Sequence, residues 1–264
     1  MTSILPARHS NLALLVFPLI VQAALAQSPA RLLVTVTDEG GAPVAGLTRE
    51  DFTARAGDAE LDVLDAEPAS PAVQIVAVFD NLAVTQRQLN AGIARLIGAL
   101  DDESILDMQS VDGELDAALV EAVDDLRARG AARPVIVMLG QASEMARSEL
   151  QSSQVRGRRR AADLSGDVDG LMDLLTTHGM LFSGVSVTDV PLPNLERLAA
   201  ATGGRFERIE DPAALADTLA AIGRELGTQY LLTLAPGTEE APTPHVDVCR
   251  DGLSARAAPF AHRP

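Results

Sequence analysis

Apolar positions in this chain follow two spacings, and the spacing changes twice along its length. Between about Val73 and Leu226, short uninterrupted apolar runs alternate with stripes at helical intervals. Residues 73–79, 135–139 and 181–187 are runs of the kind found in strands buried on both faces. Ser104 to Met108 predicts a shorter strand. Leu89, Ile93, Leu96, Ile97 and Leu100 recur at i, i+3, i+4 and so predict an amphipathic helix. Leu115, Leu119, Ala122, Val123 and Leu126 predict a second helix, and Val168, Leu171, Met172 and Leu175 a third. Leu195, Leu198 and Ala199 lie on a helix closed by Gly203-Gly204, which leads to a strand around Phe206. Asp211 as N-cap and Pro212 at the first position open the last helix, carried by Leu215, Leu219, Ile222 and Leu226. Strands alternating with helices predict an α/β fold, a mostly parallel sheet flanked by helices.

On either side the period falls to two. Leu32, Val34 and Val36 alternate with Leu33, Thr35 and Thr37, and the run ends at Glu39-Gly40-Gly41. Thr48 to Asp51 has the form of a capping box for one helical turn. Gly57-Asp58 predicts a turn before a strand over 61–64, and Glu67 to Pro71 a linker. Beyond the last helix, 230–234, 245–249 and 253–257 predict strands separated by Pro and Gly turns. A β zone on each side of an α/β core predicts a small β-sandwich formed by the two chain ends. The expected organisation is an N-terminal β segment (27–70), an α/β domain (71–227) and a C-terminal β segment (228–264) pairing with the first.

Ahead of these lies a different pattern. Arg8 precedes a short apolar run over 12–21, and Ala24-Leu25-Ala26 has the small-x-small form that signal peptidase accepts. Residues 1–26 are expected to be a signal peptide, with the mature chain starting near Gln27. The run is shorter than the roughly 20 apolar residues of a spanning helix and contains Pro18. The expected localisation is exported, periplasmic or secreted, without membrane insertion after cleavage. The first strand follows the cleavage site closely and no later apolar anchor follows, so a soluble protein is expected rather than a tethered one.

Composition narrows the function classes. Acidic residues outnumber basic ones 37 to 21, for a net charge of −16, which argues against nucleic acid as a partner. All the basic residues are Arg. At 47% hydrophobic residues but only 3% aromatics, the core must be built from Leu, Val, Ile and Ala. Cys249 is the only cysteine, so no intrachain disulfide forms, and a buried position is expected for it.

In an open α/β sheet, ligands bind beyond the carboxyl ends of the strands. That rule selects Asp80 to Val84, the Asp112-Gly113 loop and Gly140 to Ala142. The order strand, Asp, helix, strand, helix, strand resembles a von Willebrand factor A-type domain. Three further stretches, GAPVAGLTREDF (41–52), LAAATGG (198–204) and TQYLL (228–232), resemble the bacterial exported, acidobacterial-type subgroup of von Willebrand A-related proteins. The resemblance implies a von Willebrand A-like, Rossmann-like fold and a metal-ion-dependent adhesion site. There an Asp-x-Ser-x-Ser loop, a Thr and a second Asp hold Mg²⁺, a hard ion that demands oxygen ligands in near-octahedral geometry. Asp80 matches the first aspartate. The serine positions carry Leu82 and Val84, the threonine position falls at or near Asp112, and the last aspartate position is Gln141. The site is degenerate, and no cofactor is expected unless Asp80 and Asp112 form an atypical Mg²⁺ site. Otherwise Asp80 would cap the loop or helix that follows.

Other motifs carry less. Ser165 to Gly170 resembles a fragment of a calcium loop, but Thr176 stands at the twelfth position, and a helix-capping turn is expected instead. Arg156 to Arg160 is a basic cluster in a polar stretch, expected to be a solvated loop. The histidines show no ligand spacing. The leading expectation is an exported, non-enzymatic interaction module. It would bind an unknown protein partner through a face containing Asp80, Asn81, Asp112 and Gln141. Metal-dependent adhesion through Asp80 and Asp112 is one alternative, and an exported hydrolase, which would need a nucleophile, base and orienting group in one cleft, is the other.

Overall fold

The computed structural model describes residues 29–80, 84–111, 114–140, 164, 166–236 and 244–260. The expected signal peptide and the Arg156–Arg160 cluster lie outside them. Strands β1 (Ala30–Asp38), β2 (Phe52–Ala56), β3 (Ala59–Leu61) and β4 (Val63–Pro68) come first. An alternating stretch follows: β5 (Val73–Asp80), α1 (Gln86–Ile97), β6 (Ile105–Ser110), α2 (Leu115–Ala128) and β7 (Arg133–Gly140). It continues with α3 (Val168–Thr177), β8 (Leu181–Val187), α4 (Pro193–Ala201), β9 (Phe206–Ile209) and α5 (Leu215–Gly227). Strands β10 (Tyr230–Leu234), β11 (His245–Val248) and β12 (Leu253–Pro259) complete the order.

Five strands make a parallel sheet in the order β6-β5-β7-β8-β9. Successive side chains of a strand point to opposite faces, and here both faces are dry. Val76, Val78, Ile136 and Met138 pack with Leu119 and Leu126 of α2, Leu175 of α3 and Leu198 of α4. Their neighbours Ile75, Val135, Val137 and Leu139 pack with Leu96 of α1 and Leu219 and Ile222 of α5. This is why the strands are continuous apolar runs rather than alternating ones. The fold is mixed α/β and Rossmann-like, as the spacing predicts.

The remaining strands come from both chain ends. One antiparallel sheet runs β12-β1-β10-β4, and the other runs β11-β2-β3. Leu32, Val34, Phe52, Ala54, Leu232 and Val246, drawn from both sheets, share one buried cluster. The Tyr230 hydroxyl donates to the Val44 carbonyl (2.9 Å) and accepts from the Leu47 amide (3.1 Å), pinning the loop between β1 and β2.

Several local expectations need correction. The strand expected over 61–64 breaks at Asp62: β3 returns on β2 through the Gly57 turn, whereas β4 joins β10 in the other sheet. The expected linker is partly strand, with Pro68 opposite Tyr230. Proline is tolerated there because β4 is an edge strand. Asp211 and Pro212 open a 3₁₀ turn, with Asp211 Oδ1 accepting from the Ala213 amide at 2.8 Å, and α5 begins only at Leu215. Cys249 is exposed, because β11 ends one residue before it. Among the described residues, no helix is long and apolar enough to cross a membrane.

Candidate functional site

The parallel sheet winds from β5 outward to β6 in one direction and through β7, β8 and β9 in the other. The strand order therefore reverses between β5 and β7, the position at which open α/β sheets generally bind ligands. Asp80 ends β5 directly opposite Gly140, which ends β7. On the other side Phe79 lies opposite Ser110, and the Val111 amide donates to the Phe79 carbonyl at 2.8 Å. Three adjacent strands thus end together at one edge of the sheet, and Asn81, Asp112 and Gln141 follow them in the sequence. Those three residues and the side chain of Asp80 lie outside the described residues, so the juxtaposition belongs to the backbone that carries them.

The described part of the first loop is informative. Val84, at the second serine position of the resemblance, packs against the cluster beneath α1 and α5. Thr85 then caps α1: its Oγ1 accepts from the Gln88 amide (3.3 Å), and Gln88 Oε1 accepts from the Thr85 amide (2.9 Å). The helix-capping role considered for Asp80 is taken by Thr85.

The calcium-like segment behaves as a cap. Asp167 Oδ1 accepts from the Gly170 amide at 2.9 Å and starts α3, and Asp169 pairs with Arg197 at 2.9 Å. Asp116 Oδ2 accepts from the Gly166 amide at 2.7 Å. His245 Nε2 and Asp247 Oδ1 lie 3.1 Å apart on β11, and among the described residues no serine hydroxyl joins them.

Two polar clusters carry no sequence motif. Arg133, only 3% exposed, donates from Nη1 to the Ala69 and Pro71 carbonyls and from Nη2 to the Leu226 carbonyl and Gln229 Oε1, at 2.6–3.2 Å. Burial pushes its pKa down to about 10, against the raising influence of Asp101. Gln229 passes the network on to Thr35 Oγ1 at 3.0 Å. Glu225, 5% exposed, accepts from Arg205 at 2.7 Å and from Arg256. Both clusters join the α/β core to the chain-end sheets. Their only sequence signal is a charge set against a buried apolar run.

The three stretches that carry the family resemblance also sit in structural roles. In 198–204, Thr202 Oγ1 donates to the Leu198 carbonyl (2.9 Å) and accepts from the Phe182 amide (3.1 Å), tying α4 to β8. In 228–232, Gln229 serves the arginine and Tyr230 pins the 41–52 loop, with its ring edge-on to Phe52 at 5.5 Å between centroids.

No protein-family model matches the chain, and no curated protein matches it. Among solved structures, the chain is similar to the human COPII-coat protein Sec24c, with a TM-score of 0.35 and 8% identity. That alignment covers 74% of this chain and 44% of Sec24c. It is also similar to a flavone reductase, with a TM-score of 0.32 and 12% identity over 57% of this chain and 60% of that one. The chain thus spans less than two thirds of either. Likeness at this level bears on neither family nor function.

Proposed function

We propose that this protein is an exported, non-enzymatic interaction module built on a von Willebrand A-like domain. In this reading it binds a protein partner at the carboxyl edge of its parallel sheet, without a bridging metal. The chain-end sheets form a small sandwich that braces that domain, a reading supported by the cluster they share. Support for the binding face comes from the reversal of strand order between β5 and β7, with Asp80 and Gly140 in register there. The observation that carries the metal-free reading is Val84. Where the resemblance implies a serine oxygen, a partly buried aliphatic side chain packs against the core, and an aliphatic group cannot replace a hard oxygen ligand.

Thermal melting separates this from the second reading, an atypical Mg²⁺ site at Asp80 and Asp112. A ligand specific to the folded state, at about 100 times its Kd, adds about 2.7 kcal/mol, or roughly 5–10 °C in a chain of this size. With Mg²⁺, Mn²⁺, Ca²⁺ or EDTA the expected Tm is the same. A rise of that size with any ion, lost in Asp80→Ala, would replace this reading with metal-dependent adhesion.

A further inference from the structure

A cavity of about 540 Å³ opens at the end of the parallel sheet opposite the Asp80 edge. Its walls include Ala132 and Pro134 at the start of β7 and Met180 just before β8. Leu126 and Met180, which belong to the core cluster beneath α2, give it an apolar floor, and Phe260 closes it from the chain-end side. The volume falls within the range of about 300–1,000 Å³ typical of small-molecule sites.

The charge of the lining differs from that of the chain. Arg31, Arg127 and His178 line the cavity, and among the described residues no acidic side chain does, although acidic residues outnumber basic ones 37 to 21 overall. Arg31 is half-buried, with its guanidinium stacked over the Phe260 ring 5.0 Å from the centroid. Among the described residues it has no carboxylate partner. Stacking removes rotamer freedom from the guanidinium, so less is lost when it forms a forked pair. Arg127 pairs with the exposed Asp124 at 3.2 Å, a contact worth little in water.

We propose that this cavity binds a small amphipathic carboxylate. The apolar body of the ligand lies against Leu126, Met180 and Phe260, and its carboxylate takes a forked pair with Arg31, reinforced by Arg127. A neutral apolar ligand of the same size would cover Arg31 without compensating its charge, which is unfavourable. An amphipathic cation would meet like charge. The site lies far along the strands from the Asp80 edge, so either assignment can fail without the other.

Isothermal titration of the full chain tests this with octanoate, octan-1-ol, octyltrimethylammonium and acetate, each below its micellar or solubility limit. Octanoate is expected to bind one-to-one with a Kd of about 1 mM or tighter. The alcohol and the cation should bind at least about tenfold more weakly, and acetate should give no heat. Arg31→Gln should weaken octanoate about tenfold and leave octan-1-ol unchanged. Ala132→Trp, at an exposed lining position, should block both. No heat with octanoate, equal binding of anion and cation, or undiminished binding in Arg31→Gln overturns the proposal. The ligand series on the unsubstituted chain decides the matter even if a variant does not fold.

Discussion

Arg133 is an arginine held among carbonyl groups rather than carboxylates, and its geometry explains why lysine is no substitute. Two terminal nitrogens reach four acceptors on three separate segments: the stretch after β4, the end of α5 and the side chain of Gln229. A lysine ammonium is a point donor that cannot span that fork, and each buried acceptor left unpaired costs about 1–3 kcal/mol. Arg133→Lys and Arg133→Met should each lower stability by about 3 kcal/mol or more, measured by urea unfolding. An unchanged midpoint would mean that the network contributes nothing. Asp51 sets a different test. It accepts from the Thr48 amide and makes a two-pronged pair with Arg250, and those contacts, the amide first, hold its pKa below the usual carboxylate value. Its contribution to stability is therefore present above the unfolded-state pKa of about 3.9 and is lost as pH falls through the lower folded-state value. Between about pH 5 and pH 2, the wild type should lose stability more steeply than Asp51→Asn. Parallel melting curves for the two across that range would remove Asp51 from the acid response.

Elements are placed by close approach as much as by burial, and the turn after α4 shows how. Gly203 adopts φ +72, a left-handed conformation that suits glycine, and a Cβ on Gly204 would run into the Phe182 carbonyl. Both glycines also answer a need of space, since a Cβ on Gly203 would meet the Ala257 carbonyl, and together they bring this turn against β8 and β12. Gly204→Ala should cost at least the upper part of the roughly 1–3 kcal/mol range for overpacking, measured by chemical denaturation, and a neutral result would show that the β8 backbone yields freely. Legibility at this scale follows from the same physics. The strands and helices of the α/β core were readable because burial on both faces leaves an unbroken apolar signature in Val73–Asp80 and Leu181–Val187. The break at Asp62 was not, since the choice of sheet for β3 and β4 depends on distant partners, β2 and β10. The exposure of Cys249 is not legible in the sequence, since it depends on where β11 ends, at Val248. The candidate face was legible only as three loop positions, because strand order is set by long-range pairing, and the pairing then put their stems side by side. The arginine clamp and the cavity near Arg31 left no motif, since each assembles residues far apart in sequence.

For the whole molecule, the two chain ends close on each other and grip the core. β1 lies between β10 and β12, while Arg133, Gln229 and Glu225 fasten the chain-end sheets to the α/β unit. That bracing involves neither Asp80 nor Gly140 at the carboxyl edge of the parallel sheet, and the proposed function rests on that edge. The most direct measurement is affinity capture from the native envelope extract in EDTA, comparing three chains. These are the wild type, a face variant carrying Asn81→Arg and Gln141→Arg, and a control carrying Arg55→Glu at the one exposed position of β2. The account predicts one saturable partner retained by the wild type and by the control without divalent ions, and lost by the face variant. Equal retention by the face variant, or retention only when Mg²⁺ is restored, would contradict it.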